Sequence, residues 1–457
     1  MQMDNKQKNR ILGIVLSAVL IVVGAVGQLH GKSSVKNTIS EQGYILLYNT
    51  ILQHIKADYV EEIDNKDLWN NAIQGMLKAT DDEHTMFLDQ DDYAELKTGT
   101  KGDFGGLGIE IALRDSILTV VTPMEDTPAM RAGLKSGDKI VEIEGKSTRE
   151  LSLHDAVKQL RGVPGTTVNI TIAREGEEDL IKVDIVREII KITIVESGVI
   201  EKTNIGYIKL KQFAETATMD MANAIENLKE KKVKGIILDL RNNPGGLLTT
   251  AIDISNFFIK DGIIVSTRGR HKINDKIEHA DPRKAIAADI PLVILVNGGS
   301  ASASEIVTGA IKDHKRGTII GTKTFGKGSV QSVIPLDYDT GLKMTIQKYY
   351  TPSGESIHKK GIMPNIEVKP YEFTREERRH FHDLSEAKML EKFVKDNKTY
   401  NEESVNKLKA LLKEKGFGLS DYATRFLLKQ ELTNLGKRPL YDIELDTQLI
   451  KAVQQFK

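Results

Sequence analysis

The 457-residue chain reads as an α/β core preceded by a β-rich domain, with helical regions at both ends. Three observations predict this. From about residue 189 to 370, the β-branched runs Gly235-Ile-Ile-Leu-Asp-Leu, Pro291-Leu-Val-Ile-Leu-Val and Gly317-Thr-Ile-Ile-Gly alternate with helical patterns, as α/β folds do. From 101 to 188, short β-rich runs alternate with two helical stretches. Residues 37–100 place apolar side chains at helical spacing, and 371–457 are rich in Lys and Glu and read as amphipathic helices. At roughly 100 to 200 residues per domain, the length suggests about two to four domains.

The first element is the N-terminus, residues 1–36. Lys6, Lys8 and Arg10 precede an uncharged, mainly apolar run from Ile11 to Gly27, a basic flank followed by a hydrophobic segment. The run exceeds the ~7 to 15 residues of a signal-peptide core and falls short of the ~20 of a full span. The expectation is an uncleaved membrane anchor whose basic side stays in the cytoplasm, with the bulk of the chain on the periplasmic or extracellular side. Ala25-Val-Gly27 leaves cleavage open as the alternative. Lys+Arg and Asp+Glu both number 64, so general nucleic-acid binding is not expected. The absence of cysteine excludes disulfides, thiol nucleophiles and thiolate metal sites and leaves the compartment open.

In 37–100, Ile45, Leu46, Ile51, Leu52, Ile55, Leu68, Ile73, Met76 and Leu77 carry the helical spacing, which ends in Asp81-Asp-Glu-His-Thr-Met-Phe-Leu. Next comes Phe104-Gly-Gly-Leu-Gly-Ile, a glycine loop leading into a strand, whose exposed amides are suited to a carboxylate. It is followed by Asp126-Thr-Pro-Ala-Met-Arg-Ala-Gly-Leu-Lys-Ser-Gly-Asp-Lys-Ile, then Val141-Glu-Ile-Glu-Gly and a helix from about Ser152 to Leu160. A glycine loop alone is a plain turn; in this order the segments resemble a PDZ domain. The resemblance implies capture of extended C-terminal peptides at a sheet edge. The loop Gly105, Gly106, Leu107, Gly108 and Ile109 would take the carboxylate, and Leu153, Ala156, Val157 and Leu160 would form the groove. Arg161 would bridge the domain to the core or merely cap the helix C-terminus.

Three motifs in the core bear on chemistry. The strand Leu292–Val296 runs through Asn297-Gly-Gly into Ser300-Ala-Ser-Ala-Ser-Glu, a helix start. Ser302 there sits at the positive end of the helix dipole, which suits a nucleophile and equally a plain N-cap. Thr324-Phe-Gly-Lys-Gly-Ser-Val-Gln331 offers Lys327 as the base that a serine requires, provided burial lowers its pKa. Phe325, Val330 and Val333 are its apolar neighbours in sequence, and the amide oxygen of Gln331 is placed to hold the amine. Otherwise Lys327 is a surface lysine in a Gly-x-Gly turn. In Asp239-Leu-Arg-Asn-Asn-Pro-Gly-Gly-Leu-Leu, the N–H of Gly245 or Gly246 can pair with that of Ala303 to bind an oxyanion.

In this order, over about 40 to 370, the segments closely resemble the carboxyl-terminal processing proteases, serine endopeptidases with a Ser-Lys dyad. The resemblance identifies Ser302 as nucleophile and Lys327 as base, with Gln331, Tyr350-Thr-Pro-Ser-Gly and Gly361-Ile-Met-Pro also matching. It implies a crotonase-like or Clp-like α/β protease core at 189–370 behind the PDZ domain at 101–188, no cofactor and no metal. Protein substrates with free C-terminal tails follow as partners, and 371–457 is left as a dimerisation or docking region. Two positions depart from the family pattern: Asp82-Glu83-His84-Thr85 stands where Asp-Pro-His-Ser is usual, and Asn365 where Asp is usual.

Two other readings compete. A Ser-His hydrolase would draw on His84, His314 or His358, but His314 lies about 18 Å along the helix from Ser302 and nothing in the sequence brings His84 to it. A non-catalytic PDZ scaffold would be free to lose Ser302 or Lys327, and both are present.

Overall fold

The structure, a computed structural model, describes residues 39–456 apart from Asp115, Glu125 and 436–438. The expected anchor, 11–27, lies outside the described residues, among which no helix is long and apolar enough to cross a membrane. The chain divides into two compact units, Met1–Ala72 and Ile73–Lys457. In the first, Ser40 caps the helix Glu41–Asp58 by accepting the Gly43 N–H at 3.1 Å, and the Tyr48 and Trp69 rings lie 6.0 Å apart.

The expected helical region 37–100 is therefore divided, with 73–100 belonging to the larger unit. The reason is a strand that helical spacing does not disclose. Met86–Leu88 pairs antiparallel with Gly341–Lys343, at the edge of a sheet that also holds Ser329–Leu336, Thr340–Tyr350, Ile263–Gly269 and Lys276–His279. The helix Gln90–Lys101 follows, capped by the Asp89 carboxylate and closed by Gly102 at φ +81°.

The β-rich domain is a sheet in the order Ile109–Arg114, Ile117–Pro123, Lys139–Ile143, Thr167–Ala173, Ile181–Val186. Alternate residues Val168, Ile170 and Ile172 bury one face with Leu118, Val120, Ile140, Ala156 and Leu160, following the period of two of a strand. Ile109–Arg114 is an edge strand. Ahead of the glycine loop, Asp103–Gly106 is itself a strand, paired antiparallel with Glu188–Lys191.

The core sheet runs Val195–Ile200, Ile205–Leu210, Ile236–Asp239, Leu292–Val296, Thr318–Gly321, Ile366–Glu367; the first pair is antiparallel and the rest parallel. Its strands are apolar at successive positions because both faces are covered. Leu238, Ile294 and Val296 pack with the helices Ala217–Glu230, Leu248–Phe258 and Ala303–Asp313. Ile237, Val293 and Leu295 pack with Leu449 and Ala452 of the C-terminal helix Thr447–Val453. Each such side chain contributes about 1.5–3 kcal/mol relative to exposure.

The C-terminal region is thus joined to the core as well as forming a helical cluster around Leu384, Val394, Val405, Leu408 and Leu428. Charge locks it on. Arg241 donates to both Asp239 oxygens at 2.9 and 3.0 Å and to Asp446 at 2.9 Å, while Tyr207 donates to Asp239 at 2.7 Å. Burial opposes the Arg241 charge, but the hydrogen bonds to Asp239 and Asp446 more than offset it and push its pKa up.

Candidate active site

Three loops leave the carboxyl ends of three neighbouring parallel strands, where open α/β sheets form their crevices. They follow Asp239, Val296 and Gly321, and they carry the glycine pair, Ser302 and Lys327. Buried hydroxyls stitch the first two together. Ser300 Oγ donates to the Leu240 carbonyl at 2.8 Å and accepts the Asn297 N–H at 3.0 Å. Ser304 Oγ donates to the Asn243 carbonyl at 2.9 Å. Of the three alternating serines, those two are fully buried and Ser302, 9% exposed, lines the cleft.

Ser302 stands at φ +56°, ψ −112°, a conformation that costs a non-glycine residue about 1–3 kcal/mol. An ordinary N-cap sits in the β region; Ser302 does cap the helix, with Glu305 at the third position of a capping box, but from this strained backbone. The fully buried Glu305 holds it: its carboxylate accepts the Ser302 N–H at 2.9 Å. The same carboxylate accepts from Thr324 Oγ1 at 2.6 Å, Gly326 N–H at 2.7 Å and Lys327 N–H at 2.8 Å. Burial pushes the Glu305 carboxyl up, against the pull of these four donors.

The lysine loop is gripped from its other side by the Gly361-Ile-Met-Pro segment. Gly326, at φ +97°, would place a Cβ 2.9 Å from the Gly361 N, and a Cβ on Gly328 would lie 2.5 Å from the His358 N, so the flanking glycines permit the close approach. Asn365, departing from the family's Asp, still supplies a side-chain acceptor, for the Ile319 N–H at 2.9 Å.

Ser302, Lys327 and Gln331 line one cleft of about 550 Å³ with Gly246, Ala303, Ile306, Lys343 and Tyr349. Burial, then the nearby Lys343 ammonium, pushes the Lys327 amine below its usual range, with Asp82 and Glu305 opposing. An amine so placed is available as a base nearer neutral pH. Phe325, expected to help bury it, is 60% exposed; the walls of the cleft come from elsewhere in the chain. Gln331 Nε2 donates to Ser329 Oγ at 2.8 Å and Thr345 Oγ1 at 3.3 Å. The buried Tyr349 hydroxyl donates to the Lys327 carbonyl and lines the same cleft as Ser302.

The two glycine candidates separate. Gly245 N–H is taken by Asn243 Oδ1 at 2.9 Å, whereas Gly246 N–H and Ala303 N–H carry no hydrogen bond among the described residues. Gly245 serves by being small: a Cβ there would lie 2.8 Å from Ser302 Cβ and 2.9 Å from the Ala303 N.

His84 is nearer than the sequence suggests. Burial and then the Lys327 charge hold its imidazole below the usual range, although no hydrogen bond joins it to Ser302 among the described residues. His314 instead contacts the Ile263 carbonyl at 2.7 Å. Sequence reasoning misses Glu305, Tyr349, Lys343, Asp82 and Thr345. Of these, Glu305 carries a signal, an acid three positions after a serine at a helix start.

In the β-rich domain, the carbonyls of Leu107 and Gly108 accept the Ala129 and Met124 N–H groups at 2.9 and 2.8 Å, while the N–H groups of Leu107 and Gly108 have no partner among the described residues. Leu153 and Val157 lie on the more accessible side of the helix Leu153–Leu160; Ala156 and Leu160, expected in the groove, are buried in the domain core. Arg161 stacks over the Phe104 ring at 4.4 Å, on the strand entering the glycine loop. Contact toward the cleft is made instead by Lys158, which pairs with Asp91 on the helix Gln90–Lys101.

A cleft lined by both a strained serine and a desolvated lysine suits a serine-type hydrolase, and comparison with known proteins gives the family. Residues 204–368 match peptidase family S41, 119–174 a PDZ domain, and 29–92 the activating protease CtpB N-terminal domain. The chain is 43% identical over 363 residues to a carboxy-terminal-processing protease of Bartonella bacilliformis, covering 79% of this chain and 81% of the relative. It is 30% identical over 466 residues to the carboxy-terminal processing protease CtpA of Bacillus subtilis, covering 98% and 97%. A carboxyl-terminal-processing protease of Synechocystis is 36% identical over 348 residues, covering 75% and 79%. The chain belongs to the carboxyl-terminal processing proteases of peptidase family S41, serine proteases that here carry a PDZ domain.

Proposed function

We propose that the protein is an endopeptidase working through a Ser302–Lys327 dyad on a crotonase-like or Clp-like core, and that it cleaves exported proteins chosen by their C-terminal tails. The observation that carries this reading is the half-buried, desolvated Lys327 lining the same cleft as the strained Ser302. Ser302 Oγ attacks the scissile carbonyl carbon as neutral Lys327 takes its proton, and the N–H groups of Gly246 and Ala303 bind the oxyanion. Lys327 returns the proton to the leaving amine, and water then hydrolyses the acyl-serine ester with Lys327 again as base. The reaction so written uses no metal or cofactor.

The tail of the substrate adds to the free edge of Ile109–Arg114, its carboxylate on the Leu107 and Gly108 amides and its side chains against Leu153 and Val157. The basic flank and apolar run at 6–27 support tethering to the membrane with the catalytic unit on the periplasmic or extracellular side. The direct test is cleavage of an unfolded protein by Ser302→Ala, Lys327→Ala and Lys327→Arg. All three are expected to be inactive with unchanged thermal melting, since arginine does not deprotonate. Substantial turnover by Lys327→Ala would end the lysine-base reading.

A further inference from the structure

The segment Asp81–Thr85 is distant in sequence from Ser302 and Lys327, yet it packs against the strand that faces Gln331. We propose that Asp82 is a positioning residue for the dyad, acting through Thr85 and Thr345 to fix which end of the Gln331 amide is offered to the Lys327 amine. This rests on the dyad reading.

Donors and acceptors dictate the orientation. Asp82 accepts from Thr85 Oγ1 at 2.7 Å and from the His84 N–H at 3.1 Å. An ionised carboxylate only accepts, so the single proton of Thr85 is committed to it, and Thr85 Oγ1 is left to accept the Thr345 N–H at 3.1 Å. Burial alone would raise the Asp82 carboxyl, but these bonds more than offset it and hold it below the usual range, so at neutral pH the acceptor-only form is present. Thr345, held in this way, presents Oγ1 to its cross-strand partner Gln331, whose Nε2 donates to it at 3.3 Å and to Ser329 Oγ at 2.8 Å. With Nε2 engaged by two acceptors, Oε1 is the end of the amide left to accept from Lys327. A bulge between Val330 and Gln331 aims the side chain, a common use of bulges beside active sites.

Asp82 also acts on Lys327 by charge. The ionisable groups bearing on the amine are Asp82 and His84 from this segment, Lys343 from the strand Thr340–Tyr350, and Glu305 from the helix Ala303–Asp313. Losing the Asp82 anion removes a charge that favours the ammonium form, so the acid limb of the pH profile must move to lower pH.

The experiment is a pH–rate series on an unfolded protein substrate with wild type, Asp82→Asn, Thr345→Val, Thr345→Ser and Lys327→Ala, with thermal melting as the fold control. Asp82→Asn should lower kcat about tenfold at the alkaline plateau with KM nearly unchanged, and shift the acid limb downward. Thr345→Val should lower kcat similarly while leaving that limb in place, and Thr345→Ser should restore it. Wild-type kcat and pH profile in Asp82→Asn beside an inactive Lys327→Ala would overturn the role of Asp82 and leave the dyad standing. Turnover by Lys327→Ala would overturn the dyad and this proposal with it. Should Asp82→Asn not fold, the two Thr345 variants decide: equal loss in both overturns the relay.

Discussion

Glu305 Oε2 accepts the Lys327 N–H at 2.8 Å, and the same oxygen accepts the Ser302 N–H at 2.9 Å, so one buried atom ties the two reacting loops together. Replacing the carboxylate with an amide changes that grip. Glu305→Gln turns one of its two acceptor ends into a donor facing N–H groups, leaving at least one buried donor unsatisfied at about 1–3 kcal/mol. Urea unfolding should register that loss, and turnover should fall further than stability does, because Ser302 and Lys327 are both released. A Glu305→Gln enzyme with wild-type kcat would show that the carboxylate does not position the dyad.

Lys343 should tune the base. It lines the cleft, and its ammonium holds the Lys327 amine down. Lys343→Met removes a like charge, so the Lys327 pKa rises and a larger fraction is protonated at neutral pH. The acid limb of kcat/KM is expected to move to higher pH, opposite in sign to Asp82→Asn. An unmoved or lowered limb would contradict the electrostatic assignment.

The two buried serines flanking Ser302 should not behave alike. Ser300→Ala leaves the Asn297 N–H without its acceptor, while the Leu240 carbonyl keeps only the Asn243 N–H at 3.2 Å. Ser304→Ala leaves the Asn243 carbonyl still bonded to the Ala301 N–H at 3.0 Å. Chemical denaturation should show Ser300→Ala as the larger loss, about 2 kcal/mol against about 1 kcal/mol.

Tail selection is expected to depend on the terminal carboxylate and on the stack of Arg161 over Phe104. An unfolded substrate with an apolar free C-terminus should be cut faster than the same chain amidated or ending in Asp-Asp. Arg161→Ala should weaken that preference by loosening Phe104, on the strand that enters the glycine loop. Equal wild-type rates on all three substrates would show that the PDZ domain does not choose tails; an unchanged preference in Arg161→Ala would clear the arginine alone.

Legibility follows the range of the interactions. The strands Ile236–Asp239, Leu292–Val296 and Thr318–Gly321, the start of the helix after Ser302 and the cap at Ser152 depend on apolar period, glycine and hydroxyl placement, and each is readable from neighbouring residues. The strand Met86–Leu88 is not, because so short a segment has no period of its own and becomes a strand only against Gly341–Lys343.

By itself the sequence determined the order of the domains and singled out Ser302 and Lys327, because both are written in contiguous residues. Only the tertiary structure decided that the Gly245 N–H is taken by Asn243, that exposed Phe325 does not bury the lysine, and that Asp82, Lys343 and Glu305 set its charge environment. Hydrogen bonding and desolvation act through space over a few ångströms, so these groups meet from segments far apart in the chain and leave no pattern along it.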